Sequence, residues 1–346
     1  AVFKKAAVIE PNRELSSEEE KLQSEELGQG QNWHSQILHS GPKGNGPPKS
    51  CVENVVLILT NAVASNVFVR DLFAFRDSYG VDTPWGGARG SVISDDDIAL
   101  IKYWLGRHWG FEPGNNVILD AVIVICMRNA FDPVVDMLDA LEPWDKVPRL
   151  DSWLVENFEA KGDAEYNAQV FRKWLVAMII RAYEPGAKFD WMPIFEGAQG
   201  VGKSSFGRLL CGDKYFLDWL PNLADKDAAL ALQGMWVIEM GELSSFRKNE
   251  IEVIKGFVTR TVDKVRPPFG RRWIESARRC VFFGTTNRET YLRDDSGNRR
   301  FKPLVVGKLN FEKLREDRVQ LFAEAKYLYD TFQETAETLD LTGDAK

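Results

Sequence analysis

Histidine and cysteine are scarce in this sequence, and their scarcity limits the chemistry that it can support. Its 346 residues include only three histidines and four cysteines, and no two cysteines form a C-x-x-C pair. So few histidines argue against a histidine-based metal site and against a catalytic triad. Cysteines this far apart are typical of reduced thiols, and we assign them no role.

Long apolar runs are also absent. No run approaches the ~20 residues that a membrane-spanning helix needs. The N-terminal stretch AVFKKAAVIEPNRELSSEEE turns acidic before it could form the apolar core of a signal peptide. We therefore expect a cytoplasmic protein with no membrane partner.

Positive charge is not in excess either. The formal net charge of −7 at pH 7 excludes a surface that is basic throughout. Any contact with nucleic acid is therefore expected to come from a local basic segment.

The first fifty residues differ in composition from the rest of the chain. Residues 1–50 combine an acidic stretch, SSEEEKLQSEELGQGQ, with a stretch rich in Gly and Pro, HSGPKGNGPPKS. Such a segment has too few apolar residues to form a core, so we predict a flexible acidic tail or linker. A short helix over residues 16–27 would have Ser16 as its N-cap.

A helical pattern follows the tail. Residues 51–145 hold four segments with apolar residues at helical spacing, and Ser94 and Asp132 stand at the N-cap position of two of them. We predict a small all-α domain over residues 51–145.

The pattern then changes to short apolar strands that alternate with helices. DWMPIFEG, MWVIEM, RCVFFGTTN and RFKPLVV are strand-like, and NFEKLREDRVQLFAEAKYLYDTF is a closing helix. This alternation predicts an α/β domain over residues 146–346, with helices flanking a parallel sheet.

The stretch GAQGVGKSS contains a phosphate-binding loop (P-loop). Residues 197–204 match G-x-x-x-x-G-K-[ST] in full, between a predicted strand and a predicted helix. In such a loop, backbone N–H groups surround the phosphates, Lys203 faces the β and γ oxygens, and the Ser204 hydroxyl coordinates Mg²⁺. The alternative is a Gly-rich turn without a ligand. We predict ATP and Mg²⁺ as cofactors, held by Gly197, Gln199, Gly200, Val201, Gly202, Lys203, Ser204 and Ser205.

A second strand ends in two acidic residues. MWVIEMGEL has an apolar run that leads into Glu239 and Glu242. P-loop enzymes need one carboxylate near the Mg²⁺ and another that orients the attacking water. We assign Glu239 with Ser204 to the metal, although the sequence leaves open which glutamate has which role. Ordinary surface glutamates are the alternative.

Polar and basic residues follow a third strand. CVFFGTTN ends at Asn287, whose amide could reach between the γ-phosphate and the water, and a DDSGN turn precedes Arg299 and Arg300. Guanidinium groups stabilise charge that develops on a transferred phosphoryl group. Taken singly, a turn-forming asparagine and solvated arginines would be sufficient explanations.

The order of these motifs resembles the virulence-associated E family, ATPases of phages, plasmids and mobile islands that are akin to superfamily 3 helicases. The resemblance covers roughly Cys51 to Phe332 and includes KGFVTRTVDKVRPPFGRR, GTTN, DDSGNRRF and FDPVVDMLDALEPWDKVPRL. It implies an AAA+-like motor that forms a ring, in particular a hexamer, on DNA during replication of a mobile element. It also implies that Lys203 and Ser204 bind the nucleotide and Mg²⁺, and it implies catalytic roles for Lys203, Glu239, Glu242, Asn287, Arg299 and Arg300. The setting that it implies is the cytosol of a bacterium or of a phage-infected host.

A local basic segment lies between the acidic strand and GTTN. Residues 255–279 contain eight basic and two acidic residues, a local charge of 8 − 2 = +6. VDKVRPPFGRRWIES has the pattern of a hairpin with an aromatic residue at its tip, a plausible grip for a nucleic-acid backbone. The residues that we assign to DNA are Lys264, Arg266, Phe269, Arg271 and Arg272. A solvated charged face is the alternative.

These features favour an ATP-dependent DNA helicase or translocase. A nucleotide-driven assembly switch or defence ATPase, which hydrolyses ATP without unwinding DNA, is the alternative. A small-molecule kinase would keep the P-loop but would have no use for the hairpin or for an arginine from a neighbouring subunit.

Overall fold

The chain forms two compact units, Ala1–Asp136 and Met137–Lys346. The domain boundaries expected at residues 50 and 145 stay predictions. The computed structural model describes residues 33–41, 44–220, 223, 226–241, 248–265, 274–287 and 298–332. Among them no helix has the length and apolar character to cross a bilayer.

The N-terminal unit combines helices with a small sheet. Its elements are α1 (Val52–Ala62), β1 (Phe68–Asp71), β2 (Arg76–Tyr79), α2 (Asp95–Trp109), α3 (Asn115–Arg128) and β3 (Ala130–Phe131). Helices α1, α2 and α3 are three of the four predicted helices. The fourth is α4 (Pro133–Asp139), which spans the division between the units. Ser94 and Asp132 precede α2 and α4 as predicted, and the Asp132 carboxylate accepts from the backbone N–H groups of Val134 and Val135.

The prediction that this region is all-α is wrong. Strand β1 pairs antiparallel with β2 and parallel with β3, in the order β2-β1-β3. Arg70 and Asp77 lie directly opposite each other on β1 and β2 and form an ion pair of 2.6 Å. The strands are short, and two helices, α2 and α3, lie between β1 and β3 in the sequence. Such pairing depends on distant partners, which helical periodicity does not report.

The prediction of a flexible tail over residues 1–50 is wrong for the segment around Ile37 and Leu38. Ile37 is buried in the core of the N-terminal unit, and the Asn54 side chain bonds both the N–H and the C=O of Leu38, each at 2.8 Å. One buried asparagine thus fixes a segment that looks like a linker by composition. Residues 1–32, with the helix expected over 16–27, lie outside the described residues.

The C-terminal unit is an α/β layer, as predicted. Its elements are α5 (Trp153–Asn157), α6 (Ala164–Tyr183), β4 (Met192–Glu196), α7 (Lys203–Cys211), β5 (Phe216–Leu217), α8 (Lys226–Ala231), β6 (Val237–Met240), α9 (Lys248–Val258), β7 (Val262–Val265), β8 (Ile274–Ala277), β9 (Val281–Thr286), β10 (Phe301–Val305) and α10 (Phe311–Phe332). The five-stranded sheet is wholly parallel and has the order β10-β4-β9-β6-β5. A separate antiparallel pair, β7-β8, lies outside that sheet.

Helices cover both faces of this sheet. Ile194, Ile238 and Phe282 pack on one face with α8 and α9, and Phe195 and Phe283 pack on the other with α6 and α7. Helix α7 approaches closely because residue 207 is glycine: a Cβ there would lie 2.5 Å from the Phe283 ring. This close packing fixes the start of α7, which carries the P-loop lysine, against the sheet.

Candidate functional site

Three neighbouring strands end at one edge of the parallel sheet and carry the predicted catalytic residues. Strand β4 leads into the P-loop, β6 carries Glu239, and β9 leads into Asn287. The parallel register pairs Glu196 with Thr286 and Met240 with Gly284, so the three carboxyl ends are level. Residues that are far apart in sequence therefore meet at this edge.

The P-loop has a backbone that only glycine adopts with ease. Gly200 and Gly202 have φ values of 82° and 107°, in the left-handed region. At Gly202 a Cβ would also lie 2.8 Å from the Leu309 Cβ. Gln199 is exposed, whereas Val201 is half-buried and its C=O accepts from the Leu309 N–H at 2.9 Å. The loop is thus anchored to the segment after β10.

Lys203 begins helix α7 and is 8 % exposed. Its ammonium donates to the C=O groups of Gly197 and Ala198, each at 2.7 Å, and to Asn287 Oδ1 at 2.8 Å. Burial lowers the pKa of Lys203 below its ordinary value, and the negative charge of Glu239 opposes this shift. All three acceptors are neutral oxygens, so they do not neutralise the positive charge of the ammonium. An anion bound at the helix start could pair with that charge.

Glu239 is 5 % exposed and holds two hydroxyl groups with one oxygen. Ser204 Oγ and Thr285 Oγ1 each donate to Glu239 Oε1, both at 2.7 Å. The other oxygen, Oε2, is buried and has no hydrogen-bond partner within the part of the chain that the structure describes. Ser204 itself is exposed, so the cluster opens to solvent on that side, and Ser205 beside it is half-buried.

Thr285 was missed by the sequence reasoning, although it stands in the GTTN motif. Its hydroxyl reaches Glu239 only because β9 lies beside β6 in this register. The signal was a threonine at a strand position that the neighbouring apolar residues mark as buried.

Some predicted residues do not lie at this edge. Arg299 and Arg300 belong to a 3-10 turn that precedes β10, whose first residue pairs with Met192 at the start of β4. The two arginines are therefore at the amino edge of the sheet, separated from the P-loop by the length of β4, roughly 15 Å at the rise of a strand. Glu242 lies outside the described residues.

The basic hairpin is described at its base. Strands β7 and β8 pair antiparallel, as the hairpin prediction requires, and Lys264 on β7 forms an exposed ion pair of 3.2 Å with Glu275. The remaining residues assigned to DNA lie outside the described residues. They are Arg266, Phe269, Arg271 and Arg272.

The charge of +6 overstates what this segment presents to solvent. Lys255, Arg278 and Arg279 are buried. Arg278 forms a double hydrogen bond with Asp263, at 2.6 and 3.0 Å, and Arg279 donates to the C=O of Ala182 at 2.6 Å. Three of the eight basic residues thus serve the interior of the unit.

Comparisons with known proteins give a matching family and a set of similar solved structures. A family model described as virulence-associated protein E-like domain matches residues 138–346. No curated protein matches the chain.

Three of the similar structures are of the NrS-1 C-terminal region. An apo structure of its residues 305–718 has a TM-score of 0.49 and 15 % identity, covering 81 % of this chain and 70 % of the other. The A-form apo structure has a TM-score of 0.50 and 13 % identity, covering 86 % and 73 %. Identity this low establishes a similar fold alone.

Proposed function

The chain belongs to the virulence-associated protein E-like family, and from this premise we propose that it is an ATP-dependent DNA helicase or translocase with an AAA+-like P-loop fold. The observation that carries the proposal is a cluster of four side chains at one sheet edge. In it Lys203 bonds Asn287, and Ser204 bonds Glu239. A lysine and a hydroxyl at a helix start, a buried carboxylate and an amide are the groups that phosphoryl transfer uses.

The P-loop would bind the phosphates of ATP. The backbone of residues 197–202 and the positive end of α7 offer N–H donors, and Lys203 adds a point charge for the β and γ oxygens. Its present contacts with two loop carbonyls and Asn287 would be exchanged for phosphate oxygens. Lys203 is thus both a binding and a catalytic residue in this proposal.

The residues beside the P-loop fit a magnesium ion. Mg²⁺ is commonly held by one or two carboxylates together with substrate phosphates and water. Ser204 and Glu239 supply a hydroxyl and a carboxylate in contact, and Glu239 Oε2 is buried and has no partner among the residues described here. Bound Mg²⁺ would neutralise charge on the phosphates as the γ-phosphoryl group is transferred.

The attacking water would be oriented by a glutamate and by Asn287. Glu239 already contacts Ser204, which favours Glu239 for the metal and leaves Glu242 for the water. Asn287 lies at the same edge, where its amide could reach both the water and the γ-phosphate.

Two arginines would complete the site from a neighbouring subunit. Arg299 and Arg300 lie at the amino edge of their own sheet, which is too far for contact with the P-loop of the same subunit. A ring, in particular a hexamer, would bring them to the next P-loop, as in superfamily 3 helicases, to which we relate this chain. DNA in the channel of that ring would contact the basic hairpin, and replication of a phage, plasmid or other mobile element is the setting that we propose.

The hydrolysis proposal is tested by replacing the P-loop lysine. Lys203→Ala should lower the ATP hydrolysis rate by about 10²-fold or more, because the β and γ oxygens lose their cationic partner. Lys161→Ala, which changes an exposed lysine in the same unit, should hydrolyse ATP at the parental rate. Equal rates in both variants would contradict the proposal.

An assembly switch or defence ATPase is the second candidate function. The burial of Lys255, Arg278 and Arg279 favours it, because the hairpin region offers DNA less positive charge than its sequence indicates. Single-stranded DNA separates the two candidates. A helicase should hydrolyse ATP several-fold faster when DNA is added, whereas a switch should form a ring with an unchanged rate.

A further inference from the structure

Thr285 occupies a position from which it can control the carboxylate of Glu239. Strands β6 and β9 run parallel, and Glu239 pairs with Phe283. Side chains alternate along a strand, so Thr285, two residues further on, lies on the same face as Glu239. Thr285 is 6 % exposed, and its hydroxyl donates to Glu239 Oε1 at 2.7 Å.

The two hydroxyl donors share one carboxylate oxygen. Ser204 and Thr285 approach Glu239 Oε1 from helix α7 and from strand β9, respectively. The terminal torsion of a glutamate is broad, so a carboxylate with a single contact can turn with little cost. Contacts from two rigid elements fix Oε1 and thereby fix Oε2, which is buried and makes no hydrogen bond to any residue that the structure describes.

The two hydroxyls differ in what else they can do. Ser204 is exposed at the start of α7 and is the hydroxyl that we propose as a metal ligand. Thr285 is buried in β9 and has Glu239 as its partner. Valine would fill the same volume in a buried strand without a polar group to satisfy, so burial alone does not explain threonine here.

We propose that Thr285 is a positioning residue, whose hydroxyl holds Glu239 so that Oε2 is presented to a divalent cation. The inference rests on the proposed nucleotide site and goes beyond it, because Thr285 itself touches neither nucleotide nor metal. Groups that orient metal ligands in this way commonly contribute 10- to 100-fold to metal affinity.

The test compares the affinity of a fluorescent ADP in Mg²⁺ with its affinity in EDTA. The parental chain should bind more tightly in Mg²⁺. Thr285→Val should lose about 10-fold or more of that gain, with the affinity in EDTA unchanged. Thr285→Ser, which keeps the hydroxyl, should recover most of the gain. Thr286→Val, on the opposite face of β9, should retain it.

The outcomes separate this inference from the proposed function. If the parental chain binds no ADP, the proposed function fails. If the parental chain gains affinity from Mg²⁺ and Thr285→Val gains as much, only the inference is overturned. Thermal unfolding shows whether each variant folds. Should Thr285→Val not fold, Thr285→Ala decides by the same measurement.

Discussion

A buried carboxylate is costly unless charges or donors surround it, and the described residues place donors on a single oxygen of Glu239. Lys203 lies close enough for the two charges to influence each other, but its hydrogen bonds go to neutral oxygens. The carboxylate therefore keeps one oxygen without a described partner, and the ammonium bonds three neutral oxygens that phosphate oxygens could replace. Under the proposed function, Mg²⁺ would meet the carboxylate and the nucleotide phosphates would meet the ammonium.

This arrangement predicts different roles for the two glutamates. Glu239→Gln should remove the Mg²⁺-dependent gain in nucleotide affinity, because the amide offers the cation no charge. Glu242→Gln should keep that gain and lower the hydrolysis rate by about 10²-fold, the usual scale for an acid–base group. Fluorescent ADP binding with and without Mg²⁺ measures the first effect, and phosphate release measures the second.

Reversed results for the two variants would exchange the assignments. If Glu239→Gln kept both the Mg²⁺-dependent gain and hydrolysis, the cluster around Ser204 would have no metal role.

At the scale of residues, the sequence predicted the residues that belong to a short local motif. Lys203 and Ser204 were predicted because the P-loop motif has them at fixed spacing. They lie at the start of α7, and their roles stay predictions. Thr285 was not found, because its role depends on the register of β9 against β6. Arg278 was counted as surface charge because a count of basic residues does not show that Asp263 pairs with one of them in the interior.

The element that carries the basic hairpin is fastened at its base by a buried ion pair. The Arg278 guanidinium bonds both carboxylate oxygens of Asp263, donates to the C=O of Phe257, and lies 4.4 Å from the centre of the Phe257 ring. These contacts join β7 and β8 to the end of α9. The base of the hairpin is thus held by the domain, whatever its tip contacts.

This pair should matter far more for stability than the exposed pair on the same hairpin. Arg278→Met should lower the free energy of unfolding by about 3 kcal/mol, because buried Asp263 loses a double hydrogen bond and keeps a longer contact of 3.8 Å with exposed Arg260. Lys264→Met, which breaks a pair whose lysine is 74 % exposed, should cost at most about 1 kcal/mol. Urea unfolding followed by tryptophan fluorescence measures both.

A double variant is the control for this prediction. Arg278→Met/Asp263→Leu removes both charges and should recover part of the lost stability. Equal losses in Arg278→Met and Lys264→Met would show that the buried pair does not hold the hairpin.

If the basic segment binds DNA as we propose, the charges and the aromatic residue at the predicted hairpin tip should contribute separately. Arg271→Ala/Arg272→Ala should weaken binding to all single strands alike and flatten the salt dependence by a slope of about 1.4, at ~0.7 for each phosphate contact. Phe269→Ala should lose about 1–3 kcal/mol of stacking for each base contacted, with little change in slope. Filter binding at several salt concentrations measures both, and an unchanged slope in the double variant would exclude the hairpin as the DNA grip.

At the scale of elements, the α/β alternation predicted the parallel sheet because four of its five strands lie in largely apolar segments between helices. The fifth, β5, has two residues and was not predicted. Strands β1 to β3 were missed because they are two to four residues long and are interleaved with helices. The order β10-β4-β9-β6-β5 was also not predicted, since nothing local fixes which strands become neighbours. That order places β9 between the P-loop strand β4 and the Glu239 strand β6. Asn287 therefore contacts Lys203, and Thr285 contacts Glu239.

At the scale of the whole molecule, the groups that we propose for catalysis lie at two opposite edges of one sheet. Lys203, Glu239 and Asn287 lie at the carboxyl edge, and Arg299 and Arg300 lie at the amino edge. A guanidinium side chain extends about half of the roughly 15 Å between those edges, given the rise of the strand. Within one subunit the arginines therefore cannot contact a phosphate in the P-loop. If they take part in hydrolysis, they do so at the P-loop of another subunit.

This separation predicts that two inactive variants restore activity to each other. Arg299→Ala/Arg300→Ala and Lys203→Ala should each hydrolyse ATP at a small fraction of the parental rate. In a mixed ring, an intact P-loop of one subunit can face the intact arginines of another. A site is complete only when the first subunit has the intact P-loop and its neighbour has the intact arginines. If subunits of a 1:1 mixture assort at random, about a quarter of the sites are complete, so up to about a quarter of the parental rate should return. Phosphate release measures the rate, and native mass spectrometry of isotopically labelled subunits establishes that mixed rings form. Mixed rings that stay inactive would show that these arginines do not complete a neighbouring site.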